Sequence, residues 1–136
     1  MILVDTSIWS LAFRRRRSES NEPSEARILR ELIEADEEIA LPGIVLQELL
    51  SGIREKAQFE RLEEILAGFP LILATQQTHI EAARIANACR SKGIAISVVD
   101  CLIAAMAIEH DAQLLTSDQD FVYMTDHCAL RLFENK

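Results

Sequence analysis

The 136-residue sequence is 49% hydrophobic and 26% charged, a balance that predicts one domain over residues 1–136 with a sizeable core and excludes a disordered chain. No stretch reaches the roughly 18 successive apolar residues of a membrane span, and the first residues lack the basic and apolar regions of a secretory signal, so a cytoplasmic protein without a membrane partner is expected. A net charge of −8 argues against a surface that attracts phosphate everywhere, but it describes the average surface and leaves a local site open.

Taken in chain order, ILVD at 2–5 reads as a short buried strand and 7–13 as a short helix. Arg14, Arg15, Arg16 and Arg17 follow, a basic run that is either a solvated loop tip or a contact for RNA or an acidic partner chain. Pro23 and Ser24 open a helix over about 24–35, and 39–41 is a second strand. Pro42 stands where a helix begins, at a position that needs no N–H, and that helix covers 43–53. A helix over 55–67, closed by Gly68 and Pro70, leads to a third strand at 71–74 and a long helix over 77–92 stopped by Gly93. The stretch SVVDCLIAAMAIEH at 97–110 is apolar on nearly every face, which marks a helix buried inside the domain. A strand at 113–116, a turn or short helix at 119–124 and a strand at 130–133 complete the chain. Strands alternating with helices predict an α/β fold of three layers, with a mainly parallel sheet of four to five strands and helices on both faces. The cysteines, Cys89, Cys101 and Cys128, have no metal-binding spacing and read as small buried hydrophobes.

Ligands of an open parallel sheet bind beyond the carboxyl ends of its strands, and two acids stand there, Asp5 and Asp118. Either carboxylate is also suited to capping the helix that follows it. Asp100 stands three residues after Ser97, the spacing of a capping box, yet its helix is otherwise apolar apart from Glu109. Ala104 and Ala107 leave room beside it, and a charge buried there needs a partner that a cation would supply. Glu48 lies at the edge of the apolar side of its helix, between Ile44 and Gly52, as a surface acid or as one whose face is covered and close-packed. Carboxylates converging from separate elements repel one another unless a hard divalent cation joins them, and oxygen-only donors suit Mg2+ or Mn2+. Thr6, Ser7, Thr116 and Ser117 stand beside the strand-end acids, placed to orient them. Such a centre implies metal-dependent hydrolysis of phosphodiester bonds.

VDTSIW, LPGIVLQELLSGI, SVVDCLIAAMAIEH and LLTSDQDF, in that order, resemble the PIN-domain ribonucleases, in particular VapC-type toxins of type II toxin–antitoxin systems. The resemblance covers almost the whole chain and places the metal-binding, catalytic acids at Asp5, Glu48, Asp100 and Asp118, with Asp120 as an auxiliary acid. It implies Mg2+ or Mn2+ dependence, a homodimer, cleavage of tRNA or rRNA, and inhibition by a cognate antitoxin. The arginine run matches no motif of the family. Two other classes compete: a non-catalytic PIN-like module that binds RNA or protein, and a Mg2+-dependent phosphoacceptor signalling domain. The latter would want paired acids after the first strand and a lysine after the last, whereas only Asp5 and the terminal Lys136 are present. Phosphatases with an aspartate nucleophile need a D-x-D signature that Asp5, Thr6 and Ser7 do not provide. Aromatic residues make up only 5% of the chain, so base-stacking platforms are few; Trp9, near Asp5, is the obvious candidate for stacking, with burial in the core the favoured place for it.

Overall fold

The computed structural model describes residues 1–14 and 24–134. Arg15, Arg16 and Arg17 lie outside these, and of Arg14 only the backbone is described. The chain forms β1 (Ile2–Val4), α1 (Thr6–Arg14), α2 (Ser24–Glu34), β2 (Ile39–Pro42), α3 (Gly43–Leu50), α4 (Lys56–Leu66), β3 (Leu71–Ile72), α5 (Gln76–Arg90), α6 (Val98–Glu109), β4 (Gln113–Leu115), α7 (Gln119–Met124) and β5 (Arg131–Leu132). Their order is the one the apolar runs predict; the ends differ by a few residues. Strand β3 is shorter than expected because it is an edge strand whose outer residues, Leu71 and Leu73, remain exposed.

The five strands are ordered β3-β2-β1-β4-β5 and every neighbouring pair is parallel. Ile2 faces Ile39 on one side and Gln113 on the other, and Val4 faces Leu115. Side chains alternate between the two faces of a strand, so burial of every residue in β1 and β2 requires cover on both faces. Helices α1, α2 and α3 form one packed group, with α4 against α3, and α5 packs along α6 more extensively than any other pair of elements. Helix α6 buries Cys101 and every residue from 103 to 107, as its unbroken apolar character predicts. Its far end is tied to α5: the buried Thr78 hydroxyl donates to Glu109 Oε2 at 2.8 Å. Cys89 and Cys101 are buried, Cys128 is half-buried, and all three are free thiols; burial pushes Cys101 up to about 11, which leaves it protonated and inert.

From β1 the chain builds outward to β2 and β3 on one side, then returns to place β4 and β5 on the other. The reversal opens a crevice at the carboxyl ends of β1 and β4, where loop backbone and helix starts are free to meet a ligand.

Candidate metal centre

Asp5 stands at this crevice. Its backbone N–H donates to Leu115 O at 3.1 Å, which ties the end of β1 to β4, and its side chain is only 4% exposed. Oδ1 accepts from the Ser7 hydroxyl at 2.6 Å and from Ile8 N at 3.4 Å, while Oδ2 accepts from the Thr116 hydroxyl at 2.6 Å. One carboxylate therefore caps α1 and reaches across the crevice to β4, so its two sequence-based roles coexist. The Thr116 hydroxyl also accepts from Asp118 N at 3.0 Å. Asp118 in turn caps α7, its Oδ1 accepting from Asp120 N at 2.9 Å. Ser117 closes the circuit, its hydroxyl lying 3.0 Å from Ser7 Oγ.

Asp100 enters from the first turn of α6, where its N–H donates to Ser97 Oγ at 3.1 Å. Carboxylate oxygens of Asp100, Asp118 and Asp120 lie within 4.8 Å of one another. Glu48 is not in this trio. It is exposed, and its Oε1 accepts from the Thr6 hydroxyl at 2.7 Å. The close-packed cover expected around Glu48 is absent: Gly52 has nothing near its Cβ position and serves instead to end the segment with a φ of +88°.

Burial raises the Asp5 carboxyl above its ordinary value, opposed by hydrogen bonds from Ser7, Thr116 and Ile8 and reinforced by the charge of Asp118. Burial likewise pushes Asp100 up to about 6; Ser97 opposes this, and the charges of Asp118, Asp5 and Asp120 add to it. The charges named here, those of Asp5, Asp118 and Asp120, are all negative. Among the described residues, none of the ion pairs engages Asp5, Glu48, Asp100, Asp118 or Asp120. A concentration of carboxylate oxygens that no described residue pairs as a cation fits a hard divalent metal ion, which takes oxygen donors and retains waters.

The PIN domain profile matches residues 2–126. The chain belongs to the PIN domain family. It is 39% identical over 118 residues to Ribonuclease VapC19 of Mycobacterium tuberculosis, covering 87% of this chain and 89% of that protein. It is 35% identical over 123 residues to VapC ribonuclease Mb1587 of Mycobacterium bovis, covering 89% of each. Among solved structures, VapBC2 from Rickettsia felis, bound to a DNA fragment from its promoter, superposes with a TM-score of 0.77 at 25% identity and 98% coverage of both chains.

In this PIN domain the acids read from the sequence are brought to one sheet edge, but unequally. Asp120, expected as auxiliary, belongs to the tight trio, while Glu48 stands at the rim on a hydroxyl from another element. Trp9 is a core residue, 2% exposed, with its indole N–H donating to Val4 O at 3.2 Å. Phe121 is fully buried, and the aromatic that the sequence reading passed over is Tyr123, 49% exposed and three residues beyond Asp120. The helical spacing in SDQDFVY is the signal that would have found it.

Proposed function

We propose that this chain is a metal-dependent ribonuclease of the VapC type, a toxin that hydrolyses RNA phosphodiester bonds and is inhibited by a cognate antitoxin. The convergence of Asp100, Asp118 and Asp120 beside the buried Asp5, with none of them in an ion pair among the described residues, carries the reading. Relatives that match along most of both chains are named ribonucleases, and the Rickettsia structure is a VapBC assembly, which supports the activity and the antitoxin. The unit is a single PIN-like domain over residues 1–136, cytoplasmic and homodimeric, acting on tRNA or rRNA.

Asp5, Glu48, Asp100 and Asp118 hold Mg2+ or Mn2+, with Asp120 as the auxiliary acid. Bound there, the ion supplies Lewis acidity toward water and phosphate. Ser7 and Thr116 fix both oxygens of Asp5, and Ser117 holds Ser7 in turn. Thr6 fixes one oxygen of Glu48 and so orients its carboxylate.

The test is cleavage of total tRNA and rRNA by the purified protein, freed of any co-purifying partner, with Mg2+ or Mn2+ and with EDTA, alongside Asp100→Asn. Discrete products that require both the metal and Asp100 are expected. Products from the Asp100→Asn protein would overturn the assignment. No products from folded, metal-binding wild-type protein on either RNA would favour the non-catalytic RNA- or protein-binding module.

A further inference from the structure

We infer that Tyr123 is the platform on which an unpaired base of the RNA, next to the phosphate at the metal centre, stacks; this rests on the ribonuclease reading above. The turn of α7 sets the direction of the ring. Phe121 and Met124 face the core and are fully buried, which fixes the inner side of the helix. Successive residues are rotated by about 100°, so Asp120 borders that buried side and Tyr123 lies about 60° further out on the same flank. Residues three apart on a helix are neighbours, and helical side chains lean toward the N-terminus. Both effects carry the Tyr123 ring toward Asp120, whose carboxylate lies in the trio with Asp100 and Asp118.

The ring is free to accept a base. Tyr123 is 49% exposed, and the described ring pairs, Trp9 with Phe13 and Trp9 with Phe69, do not include it. Phe59 is the other exposed aromatic, at 36%, but it stands on α4, which carries none of the site's acids. Of the two exposed aromatic rings, Tyr123 is the one on an element that carries the site's acids. Stacking suits single-stranded RNA, whose bases are splayed and present a face whatever their identity. Tyr123 is thus a specificity-determining residue, selecting unpaired nucleotides over helical RNA, and it takes no part in proton transfer.

The chain contains one tyrosine, so protein labelled with fluorotyrosine gives a single fluorine resonance that reports on this ring alone. In the Asp100→Asn background, titration with oligoadenylate is expected to shift that resonance, whereas a ribose-phosphate chain of equal length without bases leaves it in place. Tyr123→Ala weakens oligoadenylate binding by about tenfold or more and Tyr123→Phe retains it, because the face of the ring is what is needed. Binding of the baseless chain is unchanged in both. In otherwise wild-type enzyme the alanine variant raises KM for single-stranded substrate and leaves kcat nearly constant, with a thermal transition matching the parent. An unmoved resonance on saturation with oligoadenylate, or equal affinity in Tyr123→Ala, overturns the inference while leaving the nuclease intact. A shift that depends on protein concentration and not on RNA would give the face to a second copy of the chain and also overturn it. A parent protein that neither binds nor cuts RNA overturns the ribonuclease reading itself.

Discussion

Thr116 holds two groups with one hydroxyl, donating to Asp5 Oδ2 and accepting from Asp118 N. Valine has nearly the same shape without the hydroxyl, so Thr116→Val strands a buried carboxylate oxygen and a backbone N–H together. Losing a hydrogen bond to a buried charged group destabilises by about 1–3 kcal/mol, and the Asp5 carboxyl, deprived of one of its opposing hydrogen bonds, moves further above its ordinary value. Groups that orient a metal ligand typically contribute about 10–100-fold in affinity. The variant is therefore expected to remain folded in denaturant titrations and to bind Mn2+ about 10–100-fold more weakly by calorimetry; unchanged affinity would show that the hydroxyl positions nothing. The strand-end acids were legible in the sequence because a short apolar run that stops on a carboxylate marks a sheet edge. Their partners were not. Thr116 is 111 positions from Asp5 and Glu48 is 42 from Thr6, and only the fold decides which hydroxyl meets which acid.

Helix α1 shows what keeps the site's loops in register. Trp9 anchors it: the indole N–H bonds Val4 O, its ring stacks near Phe13 at 6.0 Å between centroids, and it meets the edge of Phe69 at 5.0 Å. Because Thr6 and Ser7 lie in the same helix, packing at Trp9 sets where their hydroxyls stand against Glu48 and Asp5. Trp9→Ala removes the ring and leaves the carbonyl unpaired, a loss of about 3–5 kcal/mol in a domain whose whole stability is of order 5–15 kcal/mol. A large fall in Tm by circular dichroism is expected; a change of only a degree or two would mean that α1 is held by other contacts. Element order was legible because alternating apolar runs and helix boundary signals agree along the chain. The surroundings of Glu48 were not, since Ile44 and Gly52 suggest cover only if the helix continues past Leu50, and it ends there. Likewise α5 begins at Gln76 because Thr75 and Thr78 cap each other, a box built from two threonines and not from the usual Ser or Thr with Glu or Gln.

At the scale of the whole molecule, the sheet's reversal at β1 brings acids from distant segments together against their own repulsion, so the site opposes the fold until a cation or protons neutralise it. In the unfolded chain Asp100 titrates at its ordinary 3.8, and in the fold it is pushed up to about 6. Between those values the folded state binds more protons, so stability falls as pH rises through this window, and the full penalty is present above it. Asp5 is raised too and acts in the same direction. Metal-free protein is therefore expected to have a higher Tm at about pH 5 than at about pH 7.5, and Asp100→Asn should reduce that difference. A divalent ion at about 100 times its Kd adds about 2.7 kcal/mol. The gain belongs to the upper end of the pH range and shrinks as protons compete for the same carboxylates. Thermal scans of the EDTA-treated protein, with and without Mn2+ at both pH values, measure the two effects together. A Tm rise with Mn2+ confined to the higher pH places the ion on these acids. An equal rise at both pH values, retained in Asp100→Asn, would place it elsewhere on a surface of net charge −8.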